Sequence, residues 1–348
     1  MSKLSGKPNM LKFVNEQLIK NALKYIGSAT KAELAKEADV SLTTVGLILS
    51  ELEDRGEVLN QGFDEPSGGR RAERYALNFN YSYSAALCVE KDYIDYAIGN
   101  LAGEIIEEGR TIIDKLNQIE TVESLLDSLF LRFPSIKCIG LGVPAAVDEG
   151  YLVTGKKLKD WYNFDVESHF KEKYKVPVVL ENDLNAIAIG YAFNRRNDKG
   201  LFDYSNLNMI YIHFTNDGTG AGVISNGKLV RGFSSFAGEL GFIRIGNGKS
   251  LDNVLSSNPS DEIYAEVIAQ AITAVSCIIN PEYIVIGGET FRLKTIDSIT
   301  EYVYLCLPES VRPEILPAVD SKLDYINGIL FLTTEVLNSG VQLVKPAK

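Results

Sequence analysis

The sequence predicts an α/β protein that is preceded by an all-α, winged-helix DNA-binding domain. From about Asn80 onward, apolar strand-like segments alternate with amphipathic helical segments, which is typical of α/β folds with largely parallel sheets. Residues 1–77 instead contain three helical patterns and then a hairpin pattern rich in glycine and arginine. The 348 residues are enough for two or three domains.

Composition and charge support this division. Hydrophobic residues make up 45% of the chain and charged residues 23%, as in an ordinary globular protein. Residues 1–77 hold equal numbers of basic and acidic residues, so the net charge of −11 belongs to the rest of the chain. A neutral N-terminal segment beside an acidic body is compatible with nucleic-acid contact through a local patch.

Targeting and cysteine patterns point to the cytoplasm. No uninterrupted apolar run reaches the roughly 18 residues of a membrane helix, and the N-terminus lacks a secretory apolar core. We therefore expect a cytoplasmic protein without a membrane partner. The four cysteines are scattered without CxxC spacing, which predicts buried free thiols and neither disulfides nor a metal site.

The first helix is predicted from the apolar spacing near the N-terminus. Its apolar residues recur every three or four positions and are expected to form one core-facing stripe: Leu11, Val14, Leu18, Ala22 and Tyr25.

A second and a third helix follow across a tight turn. Thr30 and Glu33 have capping-box spacing at the start of the second helix, and Ser41 can cap the third. Gly46 lies inside the third helix, where we expect it to allow close approach of the backbone to DNA or to the second helix. The predicted core face of the third helix comprises Val45, Ile48 or Leu49, and Leu52.

These elements together predict a helix-turn-helix with a β-hairpin wing. The first turn of the recognition helix would enter the major groove, so Ser41, Thr43 and Thr44 are candidate DNA contacts. Arg70 and Arg71 lie at the wing, where guanidinium groups suit phosphate or the minor groove. The alternative is a three-helix module used only for dimerisation, which has no need of paired arginines.

A polar corner stands out in the body at Glu181, Asn182 and Asp183. These residues follow the apolar segment "VPVVL" and precede a periodic apolar run. They could cap a helix, since Asp and Asn satisfy backbone N–H groups at helix N-termini. They could equally bind a ligand.

Several motifs of the body resemble those of the ROK family of bacterial sugar kinases and sugar-responsive repressors. They are "GLGVPAAVDEG", "LENDLNAIAIG", "NDGTGAGVISNGKLVRG", "FAGELGF" and "NPEYIVIGGE", in the family's order. The resemblance implies an actin-like, two-lobed ATPase (ribonuclease H-like) fold with a sugar cleft, and a homodimer or homotetramer. It places the DNA-binding domain at residues 1–79, the first lobe at 80–190 with the terminal helix 326–348, and the second lobe at 191–325.

The sugar side of the family's site is retained in this sequence. The resemblance implies that Asn182, Asp183 and Glu239 bind the hydroxyls of a sugar. Carboxylates and an amide suit such a ligand because each oxygen can fix one hydroxyl. Asp183 matches the catalytic base of the family's kinases, but we assign no catalytic residue here.

The nucleotide side departs from the family's pattern. The glycine-rich phosphate loop of the kinases is replaced by "CVEKDYIDY", in which Glu90 would repel phosphate. In the second loop Asn216 replaces a glycine and Asp217 adds a negative charge, so the glycines there indicate a tight β-turn. We expect no ATP binding and no cofactor.

The zinc module of the family is also absent from the sequence. Phe242 stands where the family has a histidine, and no Cys or His occurs in the segment that supplies the other ligands. We expect Phe242 to fill the space of the zinc site, although stacking on a sugar ring is the alternative.

The sequence therefore predicts a transcriptional repressor of sugar-metabolism genes with a degenerate sugar-kinase body. Its expected partners are a double-stranded DNA operator and a sugar or sugar-phosphate effector. Two alternatives stay open: an active ATP-dependent sugar kinase with an appended DNA-binding domain, and a repressor that needs no effector.

Overall fold

The computed structural model describes residues 7–63, 71–114, 117–153, 158, 161, 163–199, 204–245 and 248–339. The chain divides into two compact units, Met1–Ser82 and Tyr83–Lys348. The elements of the first unit are α1 (Lys7–Ile26), β1 (Ser28–Thr30), α2 (Lys31–Glu37), α3 (Leu42–Asp54), β2 (Val58–Phe63) and β3 (Glu73–Leu77).

The first unit is a winged helix-turn-helix, as the sequence predicts. Thr30 and Glu33 form a reciprocal capping box at the start of α2. Ser41 caps α3 by accepting a hydrogen bond from the Thr44 backbone N–H at 3.2 Å. The three strands pair antiparallel in the order β1-β3-β2, and β2 with β3 forms the wing.

Of the predicted core face of α1, only Ala22 is confirmed. Leu11, Val14, Leu18 and Tyr25 are exposed, whereas Ile19 and Leu23 are buried with Ala22 against α2 and α3. The helix carries apolar residues on two faces, and spacing alone cannot tell which of them meets the core.

The body, the second unit, begins with an antiparallel meander that continues into alternating helices and strands. Its first elements are β4 (Tyr83–Val89), β5 (Tyr93–Asn100), β6 (Ile105–Ile112), α4 (Gln118–Arg132), β7 (Ile136–Val143), β8 (Val147–Asp148), β9 (Tyr151–Leu152), α5 (Val166–Tyr174), β10 (Val178–Asn182) and α6 (Asp183–Lys199). Its later elements are β11 (Met209–Thr215), β12 (Gly218–Ser225), β13 (Lys228–Leu229), β14 (Arg244–Ile245), β15 (Lys249–Ser250), α7 (Leu251–Leu255), α8 (Asp261–Ile279), β16 (Tyr283–Gly287), α9 (Ile296–Cys306), β17 (Glu314–Pro317) and α10 (Ser321–Ser339).

The two main sheets of the body have the same topology. Within the described residues each has five strands, in the orders β10-β7-β4-β5-β6 and β17-β16-β11-β12-β13. In chain order, the first three strands of each sheet pair antiparallel. The next two strands pair parallel, and a helix connects each of them to the preceding strand. This repetition of one α/β topology agrees with the actin-like fold class.

Helices α6 and α10 follow the last strands of the two sheets and pack against each other. Their backbones meet at Gly190 and Gly328, each the eighth residue of its helix. A Cβ at Gly190 would overlap the backbone oxygen of Asp324, and a Cβ at Gly328 would overlap that of Ala186. Only glycine permits this close crossing.

Each of these helices packs on the sheet of the opposite repeat. Helix α10 contacts β4, β5 and β7, and α6 contacts β11 and β12. The sheet residue Gly222 lies directly under α6, where a Cβ would overlap the Leu184 oxygen. Gly222 thus serves helix packing and not the tight turn that the sequence suggested. Helix α10 begins at Ser321 and α6 extends past the predicted lobe boundary at residue 190.

The cysteines are free, but only two are buried as predicted. Cys88 and Cys138 lie in the core, while Cys277 and Cys306 are exposed near helix ends. Helix α8 is long and apolar enough to cross a membrane by length and composition alone. Half of its most apolar window is buried inside the body, which is usual for a core helix.

Candidate functional site

The first candidate site is the exposed N-terminal half of α3. Ser41 and Thr43 are exposed and Thr44 is partly buried. The hydroxyls of Ser41 and Thr44 bond each other at 2.8 Å, in addition to the backbone cap. Thr43 is therefore the predicted contact whose hydroxyl has no hydrogen bond among the described residues.

The wing presents a second candidate contact. Arg71 is exposed and forms no ion pair within the described part of the chain, whereas the predicted residue Arg70 lies outside it. Arg74 differs, because its guanidinium donates to Glu33 at 3.1 Å and to the Ser28 oxygen at 2.7 Å. Arg71 is thus available for phosphate, and Arg74 holds the wing to the helices.

In the body, a small cavity forms where the two main sheets meet. Asn182 at the end of β10 and Glu239, in the loop after β13, both line it, so the structure brings two of the three predicted sugar ligands together. Asp183 lies beside the cavity without lining it. The cavity measures about 20 Å³, which is room for about one water molecule. Its other lining residues are Ala146, Val147, Leu184, Asn185, Ala221, Ser235, Ala237 and Gly238.

Asn182 is the capping residue of the polar corner. Its Oδ1 accepts from the Asn185 backbone N–H at 3.1 Å, and its Nδ2 donates to the Ala145 oxygen at 3.1 Å and to Asp183 at 2.8 Å. The Asp183 carboxylate also accepts from the Leu184 N–H at 2.8 Å. The corner therefore caps α6, and a ligand would have to replace some of these bonds.

Glu239 provides the unpartnered carboxylate of the cavity. It is partly buried, and no donor within the described residues bonds to it. Burial raises the pKa of its carboxyl, and the nearby Asp252 carboxylate adds to the shift. A hydroxyl donor from a ligand would stabilise this ionised group.

The cavity is closed by contacts between the two halves of the body. Arg231, which follows β13, forms an ion pair with the buried Glu181 of β10. Ser235 of the same loop donates to the Val147 oxygen at 2.7 Å. The sequence analysis missed both residues, because Arg231 lies in the motif "NDGTGAGVISNGKLVRG" but was given no role there, and Ser235 lies just before the motif "FAGELGF".

Comparison with known proteins identifies this architecture. Residues 86–253 match the sequence model of the ROK family. This part of the chain therefore resembles the ROK family. A xylose repressor from Caldicellulosiruptor bescii is 26% identical over 286 residues, which are 77% of this chain and 70% of that protein. For the xylose repressor of Bacillus subtilis, 28% identical, the chain spans 61% of its length.

Solved ROK structures share the fold. A ROK transcriptional regulator described as a homologue of the E. coli MLC protein matches 93% of this chain and 99% of its own, with a TM-score of 0.65 and 17% identity. ROK sugar kinases match about three quarters of this chain. Because these identities are low, the likeness shows the fold alone.

The zinc site of the ROK family does not fit these residues. Phe242 replaces the histidine, and among the described residues no group of three His, Cys, Asp or Glu side chains could hold a metal ion. The expectation that Phe242 fills the vacated space is wrong, because its side chain is 66% exposed. It packs instead against Phe236, with ring centroids 5.4 Å apart.

Two larger cavities are each lined in part by residues of β11. One, of about 430 Å³, is lined by Asp217, Gly218 and Asp252. In it the Thr219 N–H donates to the Asp252 carboxylate at 2.9 Å. The other, of about 410 Å³, is lined by Glu90 at the end of β4. Backbone donors and open space are present, but carboxylates border both cavities.

Proposed function

We propose that this chain is a sugar-responsive transcriptional repressor that acts in the cytoplasm on a double-stranded DNA operator. The observation that carries the proposal is a winged helix-turn-helix in front of a ROK-like body, in which one face of α3 is exposed and Arg71 forms no ion pair with the described residues. Relatives named xylose repressor support it. The protein acts as a homodimer or homotetramer, since helix-turn-helix proteins commonly read two half-sites.

The effector is a sugar or a sugar derivative that binds at the cavity between the sheets. Glu239 accepts a hydrogen bond from one sugar hydroxyl. Asn182 and Asp183 bind other hydroxyls of the sugar once their capping hydrogen bonds rearrange. Because the cavity must open, binding favours a separated arrangement of the two halves. An effector can release DNA only if it binds one arrangement of the body more tightly than the other. A shift from mostly DNA-bound to mostly released protein needs a difference of about 5 kcal/mol between these two affinities.

The body senses the sugar without phosphorylating it. Asp252 takes the Thr219 N–H that a phosphate would need, and Glu90 and Asp217 add negative charge nearby. Phosphate oxygens at these positions would meet repulsion instead of donors. The alternative of an active kinase rests on Asp183, and sugar-dependent release of ADP in a coupled assay would establish it.

The experiment that tests the proposal starts from a duplex that the full-length protein selects from a random library. Fluorescence anisotropy then follows binding while sugars are added, with D-xylose first and sugar phosphates after it. The expected result is specific binding that one sugar reverses. A protein that selects no duplex contradicts the proposal, whereas DNA binding that no sugar alters supports an effector-independent repressor.

Arg71 should contact a DNA phosphate. Arg71→Ala is expected to weaken binding to all duplexes alike and to lower the slope of log affinity against log salt by about 1. Arg132→Ala is the matched control, because it removes an exposed arginine on α4 of the body. An unchanged salt slope for Arg71→Ala would count against a phosphate contact.

A further inference from the structure

The exposed face of the recognition helix carries an apolar surface. At 100° per residue, the outward residues of α3 cover an arc of about 140°, opposite the buried Val45, Ile48, Leu49 and Leu52. Within this arc Leu42 is 57% exposed and Leu47 is 66% exposed. The outward residues of the first three turns are Leu42, Thr43, Gly46, Leu47 and Ser50.

This surface lacks the charged and amide side chains that make bidentate contacts with polar base edges. Residues 41–50 contain no charged residue and no amide side chain. The acidic residues of α3 come later, at Glu51, Glu53 and Asp54, and Lys12 pairs with Glu51 at 2.7 Å. The uncharged half is also the positive end of the helix dipole, so this half suits the negative groove of DNA.

Gly46 lies in the middle of the same surface. Among the described residues, a Cβ at this position would meet no atom outside its own stretch of helix within 4 Å, so packing against α2 does not explain the glycine. Glycine destabilises a helix interior relative to alanine, and this position has no left-handed backbone angle to require it. The glycine leaves a notch beside the two leucines, open to a partner outside the chain.

We propose that Leu42 and Leu47 read the 5-methyl groups of thymines in the major groove, and that Gly46 admits the duplex closely enough for this contact. The inference rests on the proposed DNA-binding function and names its ligand chemistry. Leucine cannot bond to polar base edges, whereas the thymine methyl is the apolar group that the major groove offers. Beside them, Thr43 supplies a hydroxyl that bonds to none of the described residues.

The test replaces thymine by uracil, which removes only the methyl group. The probe is the duplex that the full-length protein selects from a random library, with each T·A pair changed to U·A in turn. At the contacted positions we expect affinity to fall roughly threefold to fivefold for each methyl lost. In Leu47→Ala or Leu42→Ala, the loss at one of these positions should disappear.

Two further variants sharpen the result. Leu131→Ala removes an even more exposed leucine, on α4 of the body, and should leave every uracil effect unchanged. Gly46→Ala should weaken binding to the thymine duplex more than to its uracil counterpart, because the added methyl collides with the base methyl.

The outcomes separate this inference from the proposed function. If the protein binds DNA tightly and no uracil substitution changes the affinity, the proposed contact with thymine methyl groups is overturned. The proposed DNA-binding function is then unaffected. A protein that selects no duplex overturns both, and the leucines then belong to a surface for another partner. Equal uracil effects in wild type and both leucine variants also overturn the assignment to Leu42 and Leu47.

Discussion

Glu239 is the residue on which the proposed sensing role of the body depends. Its carboxylate is partly buried at the junction of the two sheets, its pKa is raised, and no donor among the described residues bonds to it. Such a group costs stability in the free protein and gains a partner when a hydroxyl arrives. A protein with no ligand for this cavity would have little reason to keep it.

Glu239→Gln should separate stability from sensing. Since the raised pKa means that the ionised carboxyl is disfavoured, the amide is expected to leave the melting temperature unchanged or higher at neutral pH. Loss of a hydrogen bond to a charged group should weaken sugar binding about 10- to 100-fold. Thermal shift with and without sugar measures both effects.

Glu172→Gln is the control for Glu239→Gln, because it removes an exposed carboxylate on α5. It should preserve the shift caused by the sugar. If the sugar still raises the melting temperature of Glu239→Gln by the wild-type amount, Glu239 does not bind the sugar.

At the residue level, the sequence predicted two of the side chains that line the cavity, but not how each is used. Asn182 and Glu239 both line the cavity, as the motifs suggested, yet the side chain of Asn182 caps α6. The exposure of Phe242 was also not predictable, because it depends on the loop that Arg231 and Ser235 anchor. Those contacts join segments that are far apart in sequence.

Among the helices and strands, the crossing of α6 and α10 is the most constrained contact. Gly328→Ala places a methyl against the backbone of α6, where no rotamer change can relieve the overlap. Overpacking of this kind is expected to destabilise the body by about 1–3 kcal/mol. Denaturant unfolding followed by fluorescence of Trp161, the single and buried tryptophan, measures the loss.

Gly46→Ala is the control for Gly328→Ala within a helix of the first unit. Open space surrounds Gly46, so alanine should stabilise α3 by about 1 kcal/mol. Its effect should be absent from the Trp161 signal, which reports the body. A body of wild-type stability in Gly328→Ala would show that the two helices separate easily.

Capping and periodicity predicted the helices of the first unit, but they failed for the buried face of α1. The capping box of α2 and the Ser41 cap are local interactions, so sequence spacing determines them. The choice between two apolar faces depends on α2 and α3. The same limit applies to Gly222, whose role is decided by a helix from another part of the fold.

For the molecule as a whole, the repeated sheet topology is invisible in the sequence, because equivalent strands share a pattern and few identical residues. The alternation of strands and helices was enough to predict the α/β class. It could not show that α6 and α10 each pack on the sheet of the other half, since this packing depends on the complete body.

Stability of the body should depend on pH through Asp324 in α10. Burial raises its pKa from 3.8 to about 7, the Asp320 carboxylate adds to this, and a hydrogen bond from Asn194 at 2.9 Å opposes it. The folded body thus binds this proton more tightly than the unfolded chain. Its stability should fall as pH rises from 3.8 to about 7 and change little through this group above that range.

Asp324→Asn keeps the bond from Asn194 and removes the charge. The variant should be more stable than wild type above pH 7, by up to about 4 kcal/mol, and the difference should vanish near pH 4. Denaturant unfolding at a series of pH values measures it. The exposed Asp297→Asn on α9 should show no such trend, and a constant difference at all pH values would exclude Asp324 as the cause.

The small size of the cavity between the sheets has a consequence for kinetics. A space of about 20 Å³ cannot admit a pyranose ring, so every binding event has to wait for the two halves to part. At high concentrations of sugar, the observed association rate would therefore level off at the frequency of that parting. The speed of the transcriptional response would then be set by the protein's own motion and not by the supply of its effector.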